Sequence, residues 1–322
     1  MEEKITALCE SFIENQTALK KVFTMESAYI YPIAANALTA SGFRADEEKL
    51  RECKSIISKN AGLFSFLNGM VATPFAVNLS MKDDPKAAFD RAAGFYAVIK
   101  KSFGSSSYSA LLAFLLPDMI GEEQLESVVA GGRELFQQMK KKHPLLTGEE
   151  DSVLAAFLAL SEKDNATLID DMEACYTLLK GKFSSQNSIQ SVSHILSITD
   201  GSVREKVEHL TELYDMLKDA GRKYDVYTLA TLAAVSILDT DNEKLRDTIL
   251  TIDDYLSGQK GYGFFGIDKG TRLMHAAMLT ADLYDAAQTT HTAATASTLA
   301  MIAAQQAAIC IIIASAALAN VD

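Results

Sequence analysis

The residues with the most chemical potential are five histidines and a few acid-rich turns. His143, His194, His209, His275 and His291 form neither an HExxH nor an HxxxH pair. Without such spacing no two imidazoles share a helix face for a metal. His194 and His275 fall among apolar positions of helical patterns, where a hydrogen-bonded core histidine is the simpler reading. The most distinctive polar cluster is His143-Pro144-Leu-Leu-Thr147-Gly148-Glu149-Glu150-Asp151. Its histidine and acids could act as acid and base or bind a cation. A structural reading explains more of it: Pro144 stops one helix, Thr147 caps the next, and the acids favour that helix's first turn.

The second candidate is the glycine-rich loop Gly258-Gln-Lys-Gly261-Tyr262-Gly263-Phe264-Phe265-Gly266. Phosphate-cradling loops follow a strand and open a helix, whereas this loop follows a helix and carries no Gly-Lys-Ser/Thr. It reads as a turn with packing aromatics, or as an aromatic binding edge built from Tyr262, Phe264 and Phe265. The paired acids Asp170-Asp171 and Asp253-Asp254 diverge by about 100° on a helix, so each pair reads as a solvated face. The candidate surface or pocket residues are therefore His143, Glu150, His194, Tyr262, Phe264, Phe265 and His275. No catalytic set, cofactor or metal is expected from spacing.

The elements that must position these residues are helices. Only 5 prolines occur, and the 178 residues after Pro144 contain none. That stretch is rich in Ala, Leu, Glu and Lys, and no run of strict alternation marks a strand. Tyr96, Phe136, Tyr176, Tyr214 and Tyr255 are spaced by 40, 40, 38 and 41 residues. Each sits near the end of a helical pattern, mostly before lysines and a Gly or Pro break. Ile56 extends the series back by another 40 residues. An apolar segment precedes four of these positions: SALLAFLLPD, SVLAAFLALS, IQSVSHILSI and YTLATLAAVS. Caps agree with this division: Asp84-Pro85, Thr147/Glu150, Ser202/Glu205 and Thr240/Glu243. One helix pair cannot bury both apolar faces, whereas stacked pairs make a continuous core. The expected fold is all-α: tandem helix pairs over residues 1–285, forming an α-solenoid or an α/α ring, then an Ala-rich helix over 286–322.

That last segment carries no charge from Ala286 to Val321. Thr295, Leu299, Ile302, Gln306, Ile309, Ile313 and Ala316 follow alternating spacings of 4 and 3, a heptad seam. A buried or self-associating helix fits best, with homo-oligomer contacts through Leu299, Ile302, Ile309 and Ile313. The segment is long enough to span a bilayer, but Gln305 and Gln306 and the missing interfacial anchors argue against insertion.

The stretch from Gly62 to Asp285 resembles an uncharacterised bacterial family, number 4003 in the domain-of-unknown-function series. The likeness rests on HPLLTGEEDSVLAAFLAL, GLFSFL and the tail's MIAAQQAAI. It implies a bacterial, cytosolic protein and transfers no activity or site residue.

Composition narrows the function classes. The net charge of −12 repels nucleic acids and anionic membranes, and the densest basic run, Lys140-Lys141-Lys142-His143, ends a helix where cations suit its dipole. No nucleic-acid partner is expected. Cys9, Cys53, Cys175 and Cys310 form no CxxC pair, and the acidic amphipathic N-terminus is no signal peptide, so the expected compartment is the cytoplasm. The leading function is a scaffold binding a protein or peptide. The alternatives are an enzyme with a composite His/acid pocket, and a membrane-associated or self-assembling protein acting through its tail.

Overall fold

A computed structural model of the chain describes residues 2–24, 26, 28, 30–60, 72–161, 163–226, 228–263 and 266–285. These residues form fourteen α-helices and no strand. The seam in the tail, Phe264, Phe265, Cys310 and the GLFSFL segment lie outside the described residues.

Two compact units divide the chain, residues 11–160 and residues 2–10 with 161–285. The first unit holds most of α1 (Glu2–Val22), then α2 (Ile30–Ala40), α3 (Glu47–Lys59), α4 (Ala72–Ser80), α5 (Pro85–Phe103), α6 (Ser107–Leu115), α7 (Glu122–Lys142) and α8 (Asp151–Leu158). Within it α3, α5 and α7 pack side by side in one row, and α2, α4, α6 and α8 in another. The second unit repeats this order with α9 (Asn165–Leu179), α11 (Val203–Asp219) and α13 (Asn242–Ser257) in one row. Its other row is α10 (Gln186–Ile198), α12 (Leu229–Ser236) and α14 (Lys269–Asp285).

Sequence pattern separates the two rows. The α3 helix buries only Leu50, Cys53 and Ile57, one stripe at helical spacing. In α13 the stripe is Leu245, Ile249, Ile252 and Leu256. Such stripes suit a helix with one face in water. By contrast DSVLAAFL in α8 and LATLAAVS in α12 are buried at every residue. Helices apolar all round are stable only when covered on all sides, and these short ones form the interior row.

The recurring aromatics all fall in the long-helix row. Tyr96 and Phe136 are buried, whereas Tyr176, Tyr214 and Tyr255 are half-buried. Phe103 meets Phe136 edge-on at 6.3 Å in the first unit, and Phe183 meets Tyr214 edge-on at 5.0 Å in the second. Lys100 and Lys140 lie over Tyr96 and Phe136, four residues back on their helices.

Helix starts follow strong acceptors. Asp84 accepts the Ala87 N–H with Pro85 at the first helical position, and Ser202 accepts from Glu205. Two expected caps are displaced. Helix α13 is capped by Asp241, which accepts the Lys244 N–H at 2.9 Å, and not by Thr240. Helix α8 begins after Glu150 and not after Thr147, which is buried and donates its N–H to the His143 carbonyl. At α13 the neighbouring carboxylate outcompetes the hydroxyl, because an ionised acceptor binds backbone N–H groups more strongly, whereas α8 starts without a side-chain cap.

Several helix ends are closed by basic side chains from the long helices and, for Lys163, from the turn before α9. Lys49 donates to the Lys82 carbonyl just past α4, and Arg91 to the Ile120 carbonyl past α6. In the second unit Lys163 and Lys206 reach the end of α10, and His209 the end of α12. These donors satisfy orphan carbonyls, and the lysine and arginine charges also oppose the negative end of the helix dipole.

Cys9, Cys53 and Cys175 are buried free thiols. Burial pushes them up to about 12, 11 and 11, so they act as small apolar side chains. None of the described helices is long and apolar enough to cross a membrane.

Candidate functional site

The glycine-rich loop folds back on itself. Gly261 and Gly263 have φ of 101° and 126°, and Ile267 returns its N–H to the Gly261 carbonyl. A Cβ on Gly266 would meet that carbonyl oxygen at 2.2 Å, so this glycine is required by the close approach. Tyr262 is thereby aimed at α14, where its hydroxyl bonds His275 Nδ1 at 3.0 Å with the rings edge-on. His275 is buried, and burial pushes its pKa down to about 3, against a smaller opposing pull from Asp268. The imidazole is neutral at physiological pH. The structure thus joins two sequence candidates 13 residues apart. Nearby, Asp268 caps α14 through Thr271. A Cβ on Gly270 would lie 3.1 Å from Asp225 Oδ2 and 3.2 Å from Asp268 Oδ1, so two carboxylates flank this glycine.

In the first unit His143 and Glu150 are both half-buried at the turn between α7 and α8. The turn is tight: the N–H groups of Leu146 and Thr147 both reach the His143 carbonyl, and Asp151 takes the Gly148 N–H at 2.9 Å. Asp151 is not a solvated first-turn acid. It is buried with α8, and burial, opposed by the Gly148 hydrogen bond and helped by Glu150, raises its pKa to about 7. Tyr108 on α6 feels the same cluster, pushed up to about 12 by burial and then by Glu150, Glu149 and Asp151. The sequence signal is VLAAFL, which follows Asp151 after one residue: an acid opening a helix buried at every position is carried inward with it.

His194 lies buried in α10 beside buried Gln190, Ser193 and Ser197, a core position. The Asp253-Asp254 pair is not a uniformly solvated face. Asp253 is fully buried and held by Arg222 Nε at 3.1 Å and Arg272 Nε at 2.6 Å, while Asp254 is exposed and meets Arg222. The paired guanidinia offset the cost of burying that charge.

A half-open cleft of about 660 Å³ lies in the second unit, where α10 and α12 end against α11 and α13. Asp200, Glu205, Asp239 and Asp241 line it together with Lys206, His209 and Lys244. Lys163 Nζ and Lys206 Nζ both donate to the Thr199 carbonyl, at 2.7 and 2.8 Å. Lys163 is also bound by Asp171 at 2.9 Å and by the Ser197 carbonyl. Burial, and then the Lys163 charge, hold Lys206 below its ordinary pKa. His209 Nδ1 lies 2.7 Å from the Ser236 carbonyl; a carbonyl only accepts, so Nδ1 carries a proton and donates it. Sequence reasoning passed over Lys206 because a lysine in an amphipathic helix looks like any solvated one. Among the described residues no three metal-ligating side chains converge.

Known proteins place the chain without adding an activity. It is 24% identical over 270 residues to an uncharacterized protein named YeaA from Bacillus subtilis (strain 168), an alignment covering 81% of this chain and 80% of that one. No solved structure matches. A family model described as a protein of unknown function, DUF4003, matches residues 15–307, extending past both ends of the Gly62–Asp285 stretch that carried the resemblance. The chain belongs to the DUF4003 family.

Proposed function

We propose that this protein is a cytoplasmic binding scaffold of the helical-repeat class, with a period of about forty residues, whose second-unit cleft receives a basic peptide segment of a partner. The cleft carries the proposal. Its rim holds four carboxylates, Asp200, Glu205, Asp239 and Asp241, against two lysines. One of those, Lys244, is already neutralised by Asp241 at 2.8 Å. A cationic ligand meets a complementary field there, reinforced by the chain's net charge of −12. The common two-row order and basic helix-end caps of both units support the repeat reading. The buried free thiols fit a reducing compartment.

The test is affinity capture from the native host with the wild type and with Asp200→Asn/Glu205→Gln/Asp239→Asn, a variant that leaves the Asp241 cap intact. A partner held by the wild type, weakened by salt and lost with the triple variant supports the scaffold. Capture indifferent to rim charge refutes this site. We assign the tail a separate role, self-association through Leu299, Ile302, Ile309 and Ile313. Deleting residues 286–322 then lowers the mass seen by light scattering, and an unchanged mass overturns that assignment.

A further inference from the structure

We propose that Lys206 is a nucleophilic amine that captures a small aldehyde or ketone in the second-unit cleft as an imine. Three geometric observations carry this, and none depends on the basic-peptide reading. Lys206 and Lys163 direct their amines at a single acceptor, the Thr199 carbonyl. Asp171 compensates Lys163 at 2.9 Å, whereas among the described residues no carboxylate lies within 4 Å of Lys206 Nζ. His209 stands one turn further along α11 on the same cleft wall, its Nδ1 proton committed to Ser236 and its Nε2 on the opposite edge of the ring.

A lysine half-removed from water beside a second ammonium sheds its proton more readily than a solvated one. That is the direction found for Lys206; burial and then Lys163 favour the neutral amine, while Cys175, Asp171 and Asp200 oppose this. The neutral amine attacks the carbonyl carbon, forming the C–N bond as the C=O π pair moves to oxygen. Two N–H protons are then lost from nitrogen and the oxygen departs as water, leaving the imine. No oxidant or reductant is needed. His209 Nε2 is placed to relay a proton between nitrogen and the departing oxygen.

The test is reductive trapping on the full-length protein with propionaldehyde and sodium cyanoborohydride, read by peptide mass spectrometry. At neutral pH and limiting aldehyde, Lys206 is modified faster than exposed Lys86, since a pKa held below the ordinary lysine value leaves more of the amine neutral. Its rate also levels off at lower pH than that of Lys86. Lys163→Arg, which keeps the charge, retains this preference, and Lys163→Met weakens it, with circular dichroism confirming that both variants fold. Lys206 reacting no faster than Lys86, or with the same pH profile, overturns the proposal. Equal reactivity in folded Lys163→Met and Lys163→Arg overturns the role given to Lys163.

Discussion

Helix α7 contains adjacent glycines in mid-helix, Gly131 and Gly132, each about 1 kcal/mol worse there than alanine. The structure gives them different reasons to exist. A Cβ on Gly132 would lie 2.7 Å from Ala156 Cα, 3.1 Å from Ala156 N and 3.3 Å from the Ala155 carbonyl oxygen, all backbone of α8. A Cβ on Gly131 would meet only the Ala159 Cβ, at an ordinary 3.5 Å. Gly131→Ala therefore recovers helix propensity without a clash and stabilises by about 0.5–1 kcal/mol. Gly132→Ala recovers the same propensity but forces α7 away from α8, an overpacking cost of about 1–3 kcal/mol. The expected sign is opposite, and the two variants differ by about 1–3 kcal/mol. Urea unfolding followed by far-ultraviolet circular dichroism reads this as midpoints moving in opposite directions at unchanged slope. Equal stabilisation by both variants would mean that α7 and α8 do not meet at Gly132, and the close packing inferred for this helix pair would be wrong.

Three further outcomes follow from buried charge. Asp253→Asn leaves Arg222 and Arg272 around a neutral amide and destabilises by about 3 kcal/mol, at the low end for buried pairs because both guanidinia keep some solvent; exposed Asp254→Asn changes thermal stability far less. Asp151 has its folded pKa raised from 3.8 to about 7, so the folded state binds more protons and stability falls as pH rises from 4 to 7, by about 4 kcal/mol at most; Asp151→Asn removes this slope in unfolding measured across that range, and an unaltered slope refutes its burial. His275 has the opposite sign, its folded pKa lowered from 6.5 to about 3, so stability falls as pH drops from 6.5 towards 3; His275→Gln keeps a partner for Tyr262 and flattens that limb of the same pH series.

Much of the fold was legible because helix signals are local. Apolar stripes such as Leu245, Ile249, Ile252 and Leu256 mark a one-sided helix wherever they occur. Asp84-Pro85 and Ser202 announced real helix starts for the same reason. Thr240 misled because Asp241 stands beside it and local spacing does not rank the two acceptors; Thr147 misled because it lies in the turn folded back on the His143 carbonyl, before α8 begins. The chemistry was less legible, because ionisable residues look solvated until their surroundings are known. Asp253 reads like Asp254 in sequence, yet its partners Arg222 and Arg272 lie 31 and 19 residues away. Tyr262 and His275 were each marked as candidates, but their contact depends on a glycine loop doubling back.

The helix-end caps connect these two levels. A short interior helix exposes orphan carbonyls at its end, and the adjoining long helices supply basic donors to meet them. Lys49 serves the end of α4, Arg91 that of α6 and His209 that of α12. At the end of α10 the same device brings two lysines to Thr199, where a single cation would satisfy the carbonyl. Closing the helix accounts for Lys163, which also takes Ser197 and is neutralised by Asp171. It does not account for placing a second amine against the first, since like charges there weaken each other's protonated form. That second amine lines the cleft. The structural logic common to the other helix ends is exceeded at this one, and chemistry beyond packing is best sought where it is exceeded.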